Sequence, residues 1–330
     1  MALKQGAGTS GDAPVIVLGV SRSGTTLLKA MLDAHPELAI PSESYFVPQL
    51  WQRHGQTPDR EAFLDDVGRI TRIREWGISR EDVARRLAER PSFPEAVRAI
   101  YAAYADARGK GRFGDKTPAY MQRLPLLERA FPGAAYLHLV RDGRDAALSF
   151  LEMRRRPSLN WARPRGVAAF AAQWQREVQA ARRFGSEIAP GRYRELRYED
   201  LVAEPEGALR DACAFLGLDY APAMLEYHCG VDPDRMVDHR GLARPPLPGA
   251  RRWREEMAPR DVERFEAIAG ELLIELGYEI RFPSPRIATR LLGRLDRSML
   301  AMRIASFDVA VAAARRSPLW AMRHREPGIS

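Results

Sequence analysis

Pro14-Val-Ile-Val-Leu-Gly19-Val-Ser-Arg22-Ser-Gly24-Thr25-Thr26-Leu-Leu28 is the stretch on which the reading of this chain turns. Val15 to Leu18 is an apolar run that reads as a buried strand, and Leu27 to Leu32 carries the apolar spacing of a helix that follows at once. Between them lies a turn punctuated by Gly19 and Gly24. Strand, glycine loop and helix N-terminus in that order make an anion site, because N–H groups without intrahelical partners converge where the helix dipole is positive. Phosphate is the expected guest.

The loop departs from the P-loop of nucleotide triphosphatases at one decisive place. The lysine that should follow the second glycine is Thr25, which disfavours a site that reads a γ-phosphate. The whole chain has 330 residues, 45% of them hydrophobic, enough for one large α/β domain with an extension. Lys and Arg number 51 against 43 Asp and Glu, a net charge of +8, which suits a strongly anionic small molecule. The arginines are spread along the chain and no nucleic-acid-binding motif accompanies them, so a nucleic-acid partner is not expected. Two cysteines, Cys213 and Cys229, have neither zinc-site spacing nor the density of a disulfide framework. With a polar, glycine-rich start and no apolar run long enough to span a membrane, the expected compartment is the cytoplasm.

Outward from the loop, strands alternate with helices, the pattern of a parallel sheet. After the first helix, His35-Pro36 stops the helical pattern, with His35 expected to cap the helix end. Ile40 to Phe46 reads as extended or loop. Residues 59–108 read as an arginine-rich helical insertion, broken at Gly77 and at Pro91 to Pro94. Phe113-Gly-Asp115-Lys116-Thr117-Pro118 is a strand end entering a helix over Met121 to Arg129, and Ala135 to Val140 is a buried strand. A helix over Ala146 to Met153 follows, then a proline-arginine loop from Arg154 to Arg165, and an amphipathic helix over Gly166 to Phe184. Tyr193 to Tyr198 reads as a strand, Glu204 to Leu216 as a helix ended by Gly217, Asp232 to Pro248 as loop, and Arg260 to Leu276 as helix. Residues 285–330 form a basic amphipathic helical tail, expected to pack on its own domain, with contact to an anionic membrane surface or homo-oligomer formation as the alternatives. Residues 1–13 are expected to be disordered.

Three short motifs carry a resemblance to a known family. Arg22-Ser-Gly-Thr-Thr-Leu27, Met31-Leu-Asp-Ala-His-Pro36 and Val140-Arg-Asp-Gly-Arg144 resemble the sulfotransferases that use 3′-phosphoadenosine-5′-phosphosulfate (PAPS), in particular the tyrosylprotein sulfotransferase branch and its bacterial relatives. The resemblance covers most of residues 14–280 and implies a P-loop-like three-layer α/β fold with a central, mostly parallel sheet. It implies that Ser21, Arg22, Ser23, Gly24, Thr25 and Thr26 cradle the 5′-phosphosulfate, and that Arg141 and Ser149 hold the 3′-phosphate. The chemistry agrees: Arg141 stands at the carboxyl end of a strand, where open sheets present ligand groups, and arginine suits bidentate phosphate binding. The bland alternatives are a solvated loop arginine at Arg22, a strand-end ion pair between Arg141 and Asp142, and a surface serine at Ser149.

The resemblance also implies that Glu43 takes the proton of the acceptor hydroxyl, since a hydroxyl is a poor nucleophile unless its proton has somewhere to go. The alternative is a glutamate complementing a helix N-terminus. Where the tyrosylprotein branch has paired glutamates, Ser42 replaces the first. Lys116, in the turn Asp115-Lys116-Thr117-Pro118, matches a lysine that acts as catalytic cation, against the alternative of a turn lysine paired with Asp115. Arg251, Arg252 and Trp253 follow a proline-glycine loop as the family's late donor-binding segment does, and Tyr198 lines the pocket or packs. His138 reads as a core histidine with a backbone partner, while His239 stays open as a base. The expected reaction is transfer of a sulfuryl group from PAPS to a hydroxyl-bearing acceptor, without a metal. A P-loop kinase or triphosphatase and a non-catalytic nucleotide-binding module are the rivals.

Overall fold

A computed structural model describes residues 13–153, 164–230 and 253–315. Among them, five strands form one sheet in the order β2-β3-β1-β4-β5, all pairs parallel. The strands are β1 (Val15–Leu18), β2 (Leu38–Ala39), β3 (Arg112–Asp115), β4 (Ala135–Val140) and β5 (Tyr193–Arg197). β1 is central, with Val15 level with Ala135 on one side and Gly114 on the other. Covered on both faces, β1 and β4 are apolar along their length except His138, as a parallel strand between helical layers must be.

The sheet divides the core in two. Val15 and Val17 face one layer, formed by Leu28, Met31 and Leu32 of α1 (Thr25–Asp33) and by α11 (Pro205–Leu216). Ile16 and Leu18 face the larger core of the other layer, which includes α6 (Phe93–Asp106), α9 (Val167–Glu187) and α13 (Pro259–Glu275). That alternation is the period of two of a strand buried on both faces. Each fully buried Leu, Ile or Phe in these layers stabilises the fold by about 1.5–3 kcal/mol relative to exposure.

The remaining helices are α2 (Val47–His54), α3 (Arg60–Arg69), α4 (Thr71–Glu75), α5 (Arg80–Ala84), α7 (Leu124–Ala130), α8 (Gly143–Met153), α10 (Tyr198–Ala203), α12 (Trp253–Glu256) and α14 (Ile287–Arg315). The arginine-rich stretch is helical with one more break than the periodicity predicts, at Ile70, whose backbone is extended between α3 and α4. α6 opens on a reciprocal capping box of Ser92 and Glu95. These helices share the main core: Phe46 lies 5.4 Å from Trp76 and 6.1 Å from Tyr101, ring centre to ring centre.

Four local expectations are corrected. Tyr198 begins α10 instead of ending its strand. The segment before α7 is a short 3-10 turn over Pro118–Gln122, because a helix cannot pass smoothly through Pro118 and Pro125. His35 does not cap α1; its Nδ1 accepts from the Glu37 N–H and its Nε2 meets the Asp219 carbonyl at 2.7 Å, tying the turn to the chain beyond α11. His138 is buried as expected, but its partner is the Tyr193 hydroxyl, 2.6 Å away, and not a backbone group.

Candidate active site

The loop between β1 and α1 is built by backbone geometry that few residues tolerate. Gly24 takes φ 93°, and a Cβ there would stand 2.4 Å from the Tyr198 ring, so both conformation and space demand glycine. At Gly19 a Cβ would meet Thr25 Cγ2 at 2.5 Å and the Leu139 carbonyl at 3.0 Å. No side chain caps α1, and with the Leu27 N–H on the Gly24 carbonyl at 2.9 Å, the Thr25 and Thr26 N–H groups are left to whatever binds in the loop. Ser23 and Thr25 are buried, and the Ser23 Oγ has no hydrogen-bond partner. Ser21, Arg22 and Thr26 are half-buried around it.

Among the described residues, two other than glycine have positive φ, Arg22 at 72° and Tyr45 at 57°. Both are residues for which the left-handed region is costly. They stand on either side of the same chemistry. Arg22 donates from Nε to the Ser149 Oγ at 2.9 Å, and Arg141 donates to the Arg22 carbonyl at 3.3 Å. The second motif is thereby brought onto the first. The Arg141 guanidinium lies 4.2 Å from the Tyr198 ring centre, and its Nε is buried without a partner. None of the three bland alternatives survives here: Arg22 is half-buried and bonded to Ser149, Asp142 pairs with Arg144 instead of Arg141, and Ser149 is buried.

Opposite the Arg22–Arg141 side, Lys116 Nζ lies 2.6 Å from Glu43 Oε1 and 3.3 Å from the Thr26 hydroxyl. It is therefore not the Asp115-paired turn lysine of the alternative reading. Glu43 lies four residues ahead of α2, whose first turn has no acidic residue, so the helix-dipole alternative fails as well. The other oxygen of Glu43 accepts from the Tyr45 hydroxyl. Burial, with the Glu43 charge beside it, pushes the Tyr45 phenol well above its ordinary range, so this tyrosine is a fixed donor.

A buried network fixes the Glu43–Lys116 pair. Thr117 Oγ1 accepts from the Ser44 N–H at 3.0 Å and reaches Asp115 Oδ2 at 3.3 Å, while the Ser44 hydroxyl meets Tyr120 at 2.7 Å. Tyr101 donates to the same Asp115 oxygen at 2.7 Å. Burial raises the Asp115 carboxyl above its usual range, against the hydrogen bonds that lower it. Ser44 and Thr117 adjoin Glu43 and Lys116, so the bonds between them set the distance between the two charges. Ser42, the residue before Glu43, accepts from the Trp76 indole at 2.9 Å.

Trp253 is buried against Arg144, 3.7 Å from guanidinium to ring centre, and its backbone N–H donates to Asp145 at 2.8 Å. Arg144 is itself buried between Asp142 and Glu266, joining α8 to α13. Arg251, Arg252, His239 and the loop of Arg154 to Arg156 with Trp161 lie outside the described residues. The sequence reading missed Tyr45, the Asp115 network and Arg144. For Tyr45 and Arg144 the signal available was a polar residue inside or beside a motif already singled out; for the network there was none.

An open parallel sheet with an uncapped helix N-terminus, a basic cluster and a carboxylate–lysine pair at the carboxyl ends of its strands is the architecture of an enzyme site for an anionic ligand. The Sulfotransferase family model matches residues 14–222, and the chain belongs to that family: it is a sulfotransferase. It is 26% identical over 277 residues to a protein-tyrosine sulfotransferase of Drosophila melanogaster, covering 81% of this chain and 52% of that protein. Protein-tyrosine sulfotransferase 1 of Danio rerio is 26% identical over 285 residues, covering 81% and 73%. The nodulation protein NoeE of Sinorhizobium fredii is 28% identical over 295 residues, covering 80% and 65%. The fold is shared with the sulfotransferase domain of the curacin biosynthetic pathway, at TM-score 0.54 and 22% identity over 81% of this chain and 99% of that one. The sulfotransferase domain of the Synechococcus PCC 7002 olefin synthase gives 0.51 and 22%, over 85% and 99%.

Proposed function

We propose that this sulfotransferase uses PAPS as donor and transfers its sulfuryl group to the hydroxyl of an acceptor by in-line displacement, with Glu43 as general base. The observation that carries the reading is the position of Lys116, in hydrogen-bond contact with both Glu43 and Thr26 of the anion loop. Base, cation and phosphate cradle are thus one lysine apart.

The orphaned Ser23 hydroxyl, the orphaned Arg141 Nε and the free N-terminus of α1 suit the phosphate groups of such a donor. Arg141 and Ser149 hold the 3′-phosphate in this reading, and the loop from Ser21 to Thr26 holds the 5′-phosphosulfate. As the acceptor oxygen bonds to sulfur and the sulfur–oxygen bond to the 5′-phosphate breaks, Glu43 takes the hydroxyl proton. Arg22 and Lys116 offset the negative charge growing on the leaving phosphate, a contribution larger in the transition state than in the ground state. Tyr45 holds the Glu43 carboxylate in the rotamer that faces Lys116. The positive charge comes from side chains and backbone donors, and the reaction needs no metal. Arg251, Arg252 and Trp253 belong to the donor-binding residues in this reading, and Tyr198 stacks on Arg141. Residues 14–284 form the catalytic unit, with 59–108 as its helical insertion and 285–330 as its extension, and the protein acts in the cytoplasm.

The test is incubation of the purified chain with PAPS labelled in the sulfuryl group and a panel of phenolic peptides, sugars and lipids. Label transfer that persists in EDTA and is lost in Glu43→Gln supports the reading. Binding of adenosine 3′,5′-bisphosphate with no transfer to any acceptor, and wild-type behaviour of Glu43→Gln, would leave a binding module instead.

A further inference from the structure

Among the described residues, eight large apolar side chains are strongly exposed, and seven of them lie on α14. This helix already has one face on its own domain: Gly293 sits against Ile268, Leu300 is buried, and Ile304 packs on the same core. The exposed residues lie on the opposite side. Leu292, Leu295, Met299, Met302, Ser306 and Val309 follow one another by steps of three, four, three, four and three. That is the 3.5-residue spacing of a coiled-coil seam, in which alternate positions pack against a facing helix. An apolar surface of this extent on a folded chain marks a place where something docks.

We propose that the occupant is a second copy of this chain, with the two α14 helices antiparallel about a two-fold axis between Leu300 and Ala301. Such an interface is self-complementary, the same patch serving both subunits. In this register Leu292 meets the partner's Val309, Leu295 meets the partner's Ser306, and Met299 meets the partner's Met302. The same register sets Asp296 beside the partner's Arg303, twice by symmetry, along one border of the seam. Along the other border Ser298 faces the partner's Ala305, small residues that let the helices approach closely. A helix built to lie on an anionic lipid surface carries basic residues along both borders. Here one border carries Asp296 and Arg303, and the other carries Leu291, Ser298 and Ala305 with no basic residue among them, the pattern of a helix that pairs with itself.

The test is sedimentation of the full chain over a range of concentrations, with Leu295→Glu, Asp296→Arg and Arg303→Asp beside it. The wild type should sediment at twice 37.1 kDa. Leu295→Glu should weaken association by about thirtyfold or more, with an unchanged circular dichroism spectrum. Asp296→Arg and Arg303→Asp should each weaken the homodimer, and an equal mixture of the two should form the heterodimer, in which both cross-pairs are again opposite in sign. Residues seven apart on one helix stand about 10 Å from each other, so contact within one chain cannot produce that rescue. A wild type monomeric at all concentrations, a dimer indifferent to the charge reversals, or a monomer that co-sediments with phosphatidylglycerol vesicles would overturn the proposal.

Discussion

The two halves of the site are made in different ways. The anion-loop half is local: Gly19 to Thr26 is one uninterrupted turn, its geometry set by glycine and its donors largely backbone. The half proposed for proton transfer joins residues far apart in the chain, with Glu43 and Lys116 on different connections of the sheet and held at 2.6 Å by a buried network. A site of the first kind withstands loss of a side chain better than loss of a glycine. One of the second kind depends on side chains that never touch substrate.

The largest expected effect breaks the proton-transfer half alone. Glu43→Gln should lower kcat by about 10²- to 10⁴-fold, the usual worth of a positioned base, and leave affinity for adenosine 3′,5′-bisphosphate unchanged. Arg141→Ala breaks the other half: binding of the bisphosphate, followed by calorimetry, should weaken by roughly ten- to a hundredfold, as for loss of a charge-assisted hydrogen bond. Thr117→Val sharpens the comparison, since Thr117 has no place in the phosphate cradle. It should reduce kcat by about tenfold with KM for the donor little changed, because the Ser44–Thr117 bond sets the Glu43–Lys116 distance.

The smallest effect concerns neither half but the support behind Trp253. Burial lifts the Asp145 carboxyl from its ordinary value to about 6. A raised carboxylate costs stability once ionised, so the penalty is absent below about pH 4, grows between about 4 and 6, and is complete above that. Asp145→Asn keeps an acceptor for the Trp253 N–H and removes the charge. It should raise Tm by about 1–2 °C at pH 8, as expected for a gain of about 1 kcal/mol in a chain of this length, and leave it unchanged at pH 4, as differential scanning calorimetry will read.

The same contrast explains what was legible before the structure. β1, β4 and the helix after the loop are short-range patterns of apolar residues and glycine, and they stand where the periodicity puts them. β2 is only two residues long, Leu38–Ala39, too short to carry a period of its own. Arg22, Arg141 and Ser149 are marked by local motifs, and their meeting is what parallel neighbours β1 and β4 produce. Glu43 and Lys116 were visible only one at a time. That Lys116 turns to Glu43 and away from its neighbour Asp115 goes with the bond from the Ser44 N–H to Thr117, which brings the two segments together, a long-range arrangement with no sequence period. Tyr45 belongs to the same class: its left-handed backbone turns the phenol back onto Glu43 two residues earlier.

The central claim is that the loop and the second motif form one donor site for a bisphosphate nucleotide. Its most direct test is calorimetric titration of the chain with adenosine 3′,5′-bisphosphate and, in parallel, with ATP and Mg²⁺, on the wild type and on Arg22→Ala and Arg141→Ala. Preference for the bisphosphate, lost in both variants, is the predicted result. Preference for ATP with Mg²⁺, or binding of the bisphosphate that neither substitution weakens, would contradict it.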